Sequence, residues 1–184
     1  AISVDRQNPE YLKNLGYVLS QNGKFAEGEQ VCRKAARLDP NDAKIYNNLG
    51  ICLEGQSKFE AAERAYDRAL AINPSYPEAL VNQGNVRREQ GQVEEAIQSY
   101  CQAIEFEPNF VEALNNLGNL YHELFQEDDA LACFQTLLSI DSENVKSLCG
   151  YGAVLEKLGR LDEAEKILMH AIEIDPGCYD GHNN

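Results

Sequence analysis

The sequence predicts an all-α fold, a solenoid of stacked helix-turn-helix repeats, and three observations carry that prediction. The segments LDPND, INPSY, FEPNF, IDSEN and IDPGC recur at a fixed interval, with Pro40, Pro74, Pro108, Ser142 and Pro176 each 34 residues apart. Apolar residues return every three or four positions, as in Ala96, Ile97, Tyr100 and Ile104, which is a helical period and not a strand period. One glycine also returns per interval, at Gly16, Gly50, Gly84, Gly118 and Gly152.

Laid out at this period, the chain divides into the end of a preceding repeat (1–8), five full repeats (9–42, 43–76, 77–110, 111–144 and 145–178) and the start of a further one (179–184). The first helix of each repeat has Leu12, Tyr46, Leu80, Leu114 or Leu148 at its fourth place and the recurrent glycine at its eighth. A glycine inside a helix costs about 1 kcal/mol relative to alanine, so its return in every repeat implies that a neighbouring helix must come close there. A turn of glycine and polar residues follows, as in GQSKFE, GQVEE and GRLDE. The second helix has a small residue at place twenty (Gly28, Ala62, Ala96, Ala130, Ala164) and a large one at place twenty-four (Cys32, Tyr66, Tyr100, Phe134, Leu168). Place twenty-seven is mostly alanine, so large knobs are expected to face small holes. The proline stops the second helix, and a looser turn is expected where Ser142 replaces it.

A 34-residue helix-turn-helix with leucine, glycine, alanine, aromatic, alanine and proline at these places resembles the tetratricopeptide repeat (TPR) family across essentially the whole chain. The NNLG and EALNNLGN wording is most similar to the TPR region of O-linked N-acetylglucosamine transferase and its bacterial relatives. The resemblance implies an alpha-alpha superhelix, a right-handed solenoid whose inner groove is lined by the first helix of each repeat. Places two, five, six, nine, twelve and thirteen would then point inward. Because both ends fall inside a repeat, the chain is expected to be cut from a longer array, with apolar faces uncovered at its ends.

Composition narrows the function classes. Residues 1–76 hold ten basic and ten acidic groups, and residues 77–184 hold six and twenty, so the net charge of −14 resides in the second part. Such a field repels phosphate, which argues against nucleic acid and anionic membranes as partners and favours basic peptides. No apolar run approaches the roughly 20 residues of a membrane helix. The six cysteines lie far apart without a CxxC pair, so neither metal nor cofactor is expected, and scattered thiols fit a cytoplasmic or nucleocytoplasmic setting. The dispersed His122, His170 and His182 have no nucleophile pattern beside them, and no phosphate-binding glycine loop occurs, so the chain is not expected to be an enzyme.

The candidate binding residues are carboxamides. Place six is Asn14, Asn48, Asn82 and Asn116, then Gly150, then Asn184, a ladder with one rung missing; Asn47, Asn85, Asn115 and Asn119 thicken it. An asparagine both donates and accepts, so it can pair with the N–H and C=O of an extended peptide of any sequence. Asparagine ladders of this kind hold peptide backbones in the transferase family the repeats resemble. Each bond nets only about 0.5–1.5 kcal/mol, so several must act together. The competing reading is that these amides bond across neighbouring helices or merely face water. Glu78, Glu89, Glu112 and Glu123 at inward places are expected to select basic side chains as a secondary feature. Lys13 and Asn48 match two places of the carboxylate clamp of chaperone-adaptor repeats, but Tyr17, Glu78 and Asn82 depart from it, so chaperone tails are not expected ligands.

The expected function is a non-catalytic protein-interaction module or scaffold that binds a polypeptide segment in its groove. The alternative is the substrate-recruiting arm of a larger glycosyltransferase whose catalytic domain is not in this chain. A third reading is self-association through uncapped repeat ends.

Overall fold

The computed structural model describes residues 8–177. Among them the chain forms ten α-helices in five hairpins: α1 (Pro9–Gln21) with α2 (Phe25–Leu38), α3 (Ala43–Glu54) with α4 (Phe59–Ile72), α5 (Pro77–Glu89) with α6 (Val93–Phe106), α7 (Val111–Glu123) with α8 (Glu127–Ile140), and α9 (Val145–Lys157) with α10 (Leu161–Ile174). The first three hairpins form one compact body ending at Phe106 and the last two form a second from Glu107. Apart from Asn8, the partial repeats at the two ends, Asn184 included, lie outside the described residues, as does Cys178.

Local chemistry starts and stops these helices. The Asn8, Asp42 and Asn144 side chains accept from the backbone N–H groups of Glu10 (2.9 Å), Lys44 (2.9 Å) and Ser147 (3.0 Å), satisfying donors that a helix N-terminus leaves unpaired. Pro9 and Pro77 open α1 and α5, where a missing N–H is harmless. The turn within a hairpin needs one residue in the left-handed region, supplied by Gly23, Gly91 and Gly159 but also by Ser57 and Phe125. The turn containing Ser142 is not looser than the rest. Asp141 there has φ −143° and ψ 100°, close to the −133° and 93° of Asp39 in a proline-containing turn. Its carboxylate accepts from Glu143 N–H at 3.1 Å, as that of Asp39 does from Asn41 N–H at 3.2 Å. An aspartate folding back on its own turn thus supplies what the proline was expected to supply.

The eighth-place glycine receives the twenty-fourth-place side chain of its own repeat. A Cβ placed on Gly50 would lie 2.6 Å from Cδ1 of Tyr66, one on Gly84 2.6 Å from Cε1 of Tyr100, and one on Gly152 2.6 Å from Cδ2 of Leu168. The hole opposite the large knob is therefore this glycine on the partner helix. Place twenty-seven, by contrast, is simply buried in every repeat. Tyr66 and Tyr100 are fully enclosed, and their hydroxyls donate to Glu54 (2.7 Å) and Asn85 (2.8 Å), so neither is buried unsatisfied. Burial pushes the Tyr66 phenol far above its ordinary pKa. Around Tyr66 a continuous core joins Leu49, Cys52, Leu53 and Ala62 to Cys32 of α2 and Val86 of α5, so one hairpin is completed by its neighbours. Cys32, Cys52 and Cys133 are free thiols buried as small core residues.

Polar groups tie successive hairpins as well. Glu29 of α2 accepts from Arg33, from Gln56 and from Lys58, each at 2.9 Å. Burial alone would raise its pKa, but these donors outweigh burial and hold the carboxyl at about 2. Arg87 of α5 reaches Glu63 of α4 (3.1 Å) and the buried Ser99 of α6 (2.8 Å).

Gly50→Ala is expected to destabilise the protein by roughly 1–3 kcal/mol, because the added methyl meets a ring enclosed on all sides. Urea denaturation followed by circular dichroism reads this out as a lower midpoint at unchanged slope.

Candidate functional site

In the first body α1, α3 and α5 touch in succession, and in the second body α7 touches α9. Within each body, second helices of neighbouring hairpins do not touch among the described residues. Each body therefore bends toward its first helices, whose outward side chains line the inside of the bend. The expected amides all lie on these helices, but the structure gives them different tasks.

Asn48 is buried to 7% exposure, and its Nδ2 donates to the Lys13 carbonyl of the preceding first helix at 3.2 Å. Asn82 is half-buried and donates to Oδ1 of Asn47 at 3.0 Å, while Asn47, at 5% exposure, also hydrogen-bonds the Tyr76 hydroxyl. Burial, with the carboxylates of Glu78 and Asp42, pushes the Tyr76 phenol up to about 12. Asn85 accepts from Tyr100. In the first body, then, Asn48 and Asn82 tie one first helix to the next, and Asn14, in the first hairpin, is exposed. Asn116 and Asn119 of α7 are half-buried.

Asn115 differs from its register equivalent Asn47. It is 8% exposed, and Tyr76 and Asn82, the partners of Asn47, are replaced at the equivalent places by Asn144 and Gly150. It lines an open depression of about 630 Å³ with Asn116 and Asn144, walled by Phe110 and Val111 and flanked by Glu112 and Lys146. Asn144 turns its Oδ1 to the N–H and hydroxyl of Ser147, each at 3.0 Å, and Gly150 has no side chain, so neither replaces the bonds that Asn47 makes. Phe110, Asn144 and Lys146 were not among the sequence candidates, although an aromatic at place thirty-four (Tyr76, Phe110) was a readable signal.

The first body has a related depression of about 700 Å³, lined by Lys13, Asp42, Lys44, Tyr76 and Glu78 among others. Lys13 is held there by Glu10 (2.6 Å) and Asp42 (2.8 Å). Burial alone would lower its pKa, but these bonds outweigh burial and raise it, so this cation is already neutralised. The four glutamates expected at inward places, Glu78, Glu89, Glu112 and Glu123, are all exposed.

The missing rung has a steric cause. A Cβ on Gly150 would lie 2.6 Å from Cζ of Phe134, the twenty-fourth-place residue of the preceding repeat, whose ring also meets Gly118. The ring thus lies between two glycines, and no asparagine fits at place six of the fifth repeat.

No helix among the described residues is long and apolar enough to cross a membrane, and no group of histidine, cysteine and carboxylate residues there is disposed to hold a metal. Family models described as tetratricopeptide repeat match residues 9–42 and 111–144, 43–76, 65–98 and 145–178, and a TPR repeat model matches 84–124. No curated protein sequence matches the chain. Among solved structures, a tetratricopeptide repeat protein from Parabacteroides merdae is 26% identical with TM-score 0.80, over 95% of this chain and 71% of that one. MamA from Desulfovibrio magneticus is 18% identical with TM-score 0.78, over 98% of each chain. YrrB, a TPR protein with an unusual peptide-binding site, is 20% identical with TM-score 0.71, over 95% of this chain and 90% of that one. These matches point to the repeat fold and to no narrower group.

Gly150→Asn would restore the amide series but is expected to cost roughly 1–3 kcal/mol through overlap with the Phe134 ring. Thermal melts should show the loss in Gly150→Asn and its relief when Phe134 is also shortened to leucine.

Proposed function

Because this chain belongs to the tetratricopeptide repeat family, we propose that it is a non-catalytic interaction module that holds an extended polypeptide along the inner side of its first helices. The observation that carries this reading is Asn115. Its side chain is nearly enclosed yet lines an open depression, where a ligand can reach its carboxamide. A peptide backbone offers it both a donor and an acceptor, and Asn116 and Asn144 line the same depression. Asn48 and Asn82 each use one Nδ2 proton between helices and keep Oδ1 for a ligand N–H. That YrrB has a peptide-binding site on a chain of similar fold supports the same reading.

Phe110 and Val111 supply the apolar wall for a ligand side chain, and Glu78, Glu89, Glu112 and Glu123 bias the face toward basic residues. The acidic balance disfavours nucleic acid on this face.

The test uses an extended peptide selected from an unbiased displayed library against the full chain. Replacing Asn115 and Asn116 together by alanine is expected to weaken its binding roughly tenfold, as the loss of two to three hydrogen bonds predicts. Calorimetric titration measures the affinity and circular dichroism shows the fold retained. Unaltered affinity would contradict the assignment.

A further inference from the structure

The turns joining the two helices of a hairpin are polar in the first body, with Asn22 and Gly23, Gln56 and Ser57, and Gln90 and Gly91. In the second body the equivalent places hold Leu124 and Phe125 in one turn and Leu158 in the other, with Leu161 opening α10, and all four are exposed. Phe125 is the extreme case. Its ring is 75% exposed and its φ is +59°, in the left-handed region that Gly23, Gly91 and Gly159 fill at the same place. A phenylalanine there carries both backbone strain and an apolar ring in water, and glycine would relieve both.

The ring already receives a cation. Lys157 Nζ lies 5.5 Å from the Phe125 centroid, which also shows that the two turns are neighbours. The surroundings are acidic: Glu127, Asp128 and Asp129 open α8 and Asp162 opens α10, while Glu163 is paired with Arg160 through bonds of 2.8 and 2.7 Å. Glu127 takes one hydrogen bond, from His122 at 2.7 Å, while its Oε1 is enclosed without a partner. Residues 107–184 hold four lysines and arginines against fifteen aspartates and glutamates.

We propose that this turn end of the second body is a docking surface separate from the inner face, and that it takes a basic amphipathic segment of a partner protein. The segment sets an apolar side chain against Leu124 and Leu158 and an arginine or lysine over Phe125, inside the rim of carboxylates. A second copy of the chain does not suit the surface, since a self-complementary contact would bring two acidic rims together.

The experiment uses the full chain and a fluorescein-labelled helical peptide of leucine and arginine at helical spacing, followed by anisotropy. Wild type is expected to bind with an affinity that falls as salt rises. Phe125→Gly should lower affinity at least tenfold while leaving the melting temperature equal or higher, since glycine suits the φ. Asp128→Asn with Asp129→Asn should flatten the salt dependence. Equal affinity for Phe125→Gly and wild type overturns the proposal. So does loss of binding in the Asn115→Ala, Asn116→Ala variant, which would put the peptide on the inner face. A dimer seen by light scattering without peptide and dissolved by Phe125→Gly would replace the partner segment with a second copy.

Discussion

Each hairpin depends on one contact, between a first-helix glycine and the large side chain eight places before the recurrent proline on the second helix. Where that side chain is tyrosine, its ring lies where a Cβ on the glycine would be, so the two helices approach at a distance only glycine permits. The approach encloses the ring completely, and enclosure requires the tyrosine hydroxyl to find Glu54 or Asn85. Polar residues on the inner side of the first helices are thus partly determined by the packing behind them. Phe134 shows the same rule without a hydroxyl: it needs no polar partner and presses instead on a second glycine, Gly150.

The inner face follows from this packing. Once each hairpin is closed, first helices abut first helices, and their polar residues must either bond one another or remain for a ligand. In the first body most of the amides are bonded within the chain, Asn48 to the Lys13 carbonyl, Asn82 to Asn47 and Asn85 to the Tyr100 hydroxyl. In the second body Asn115 has the same register and similar burial, but Asn144 and Gly150 stand where Tyr76 and Asn82 stand around Asn47. One kind of residue at one place therefore has different neighbours in the two bodies, and two replacements separate the two cases. The second body also has the larger excess of negative charge, with fifteen acidic and four basic residues over 107–184.

Much of the architecture was readable from the chain because its determinants are local or repeat at one spacing. The 34-residue period, the helical apolar pattern and the recurrent glycine predicted the hairpins, and the glycine predicted close approach. What could not be read were contacts that cross repeats. Gly150 looked like a gap in a ladder, when it is room for a ring sixteen residues earlier. Asn47 and Asn115 looked alike because the residues that distinguish them, Tyr76 and Asn82 against Asn144 and Gly150, lie in the following turn and in the next first helix. Ser142 suggested a looser turn only because the proline was credited with a geometry that Asp141 also maintains.

The central claim, that glycine and ring are mutually required, is tested most directly by a double-mutant cycle at Gly84 and Tyr100. Stabilities of wild type, Gly84→Ala, Tyr100→Ala and the double variant would be measured by urea denaturation. The account predicts that Gly84→Ala costs stability when Tyr100 is present and little when it is gone, a coupling of about 1 kcal/mol or more. Equal cost of Gly84→Ala in both backgrounds would contradict it.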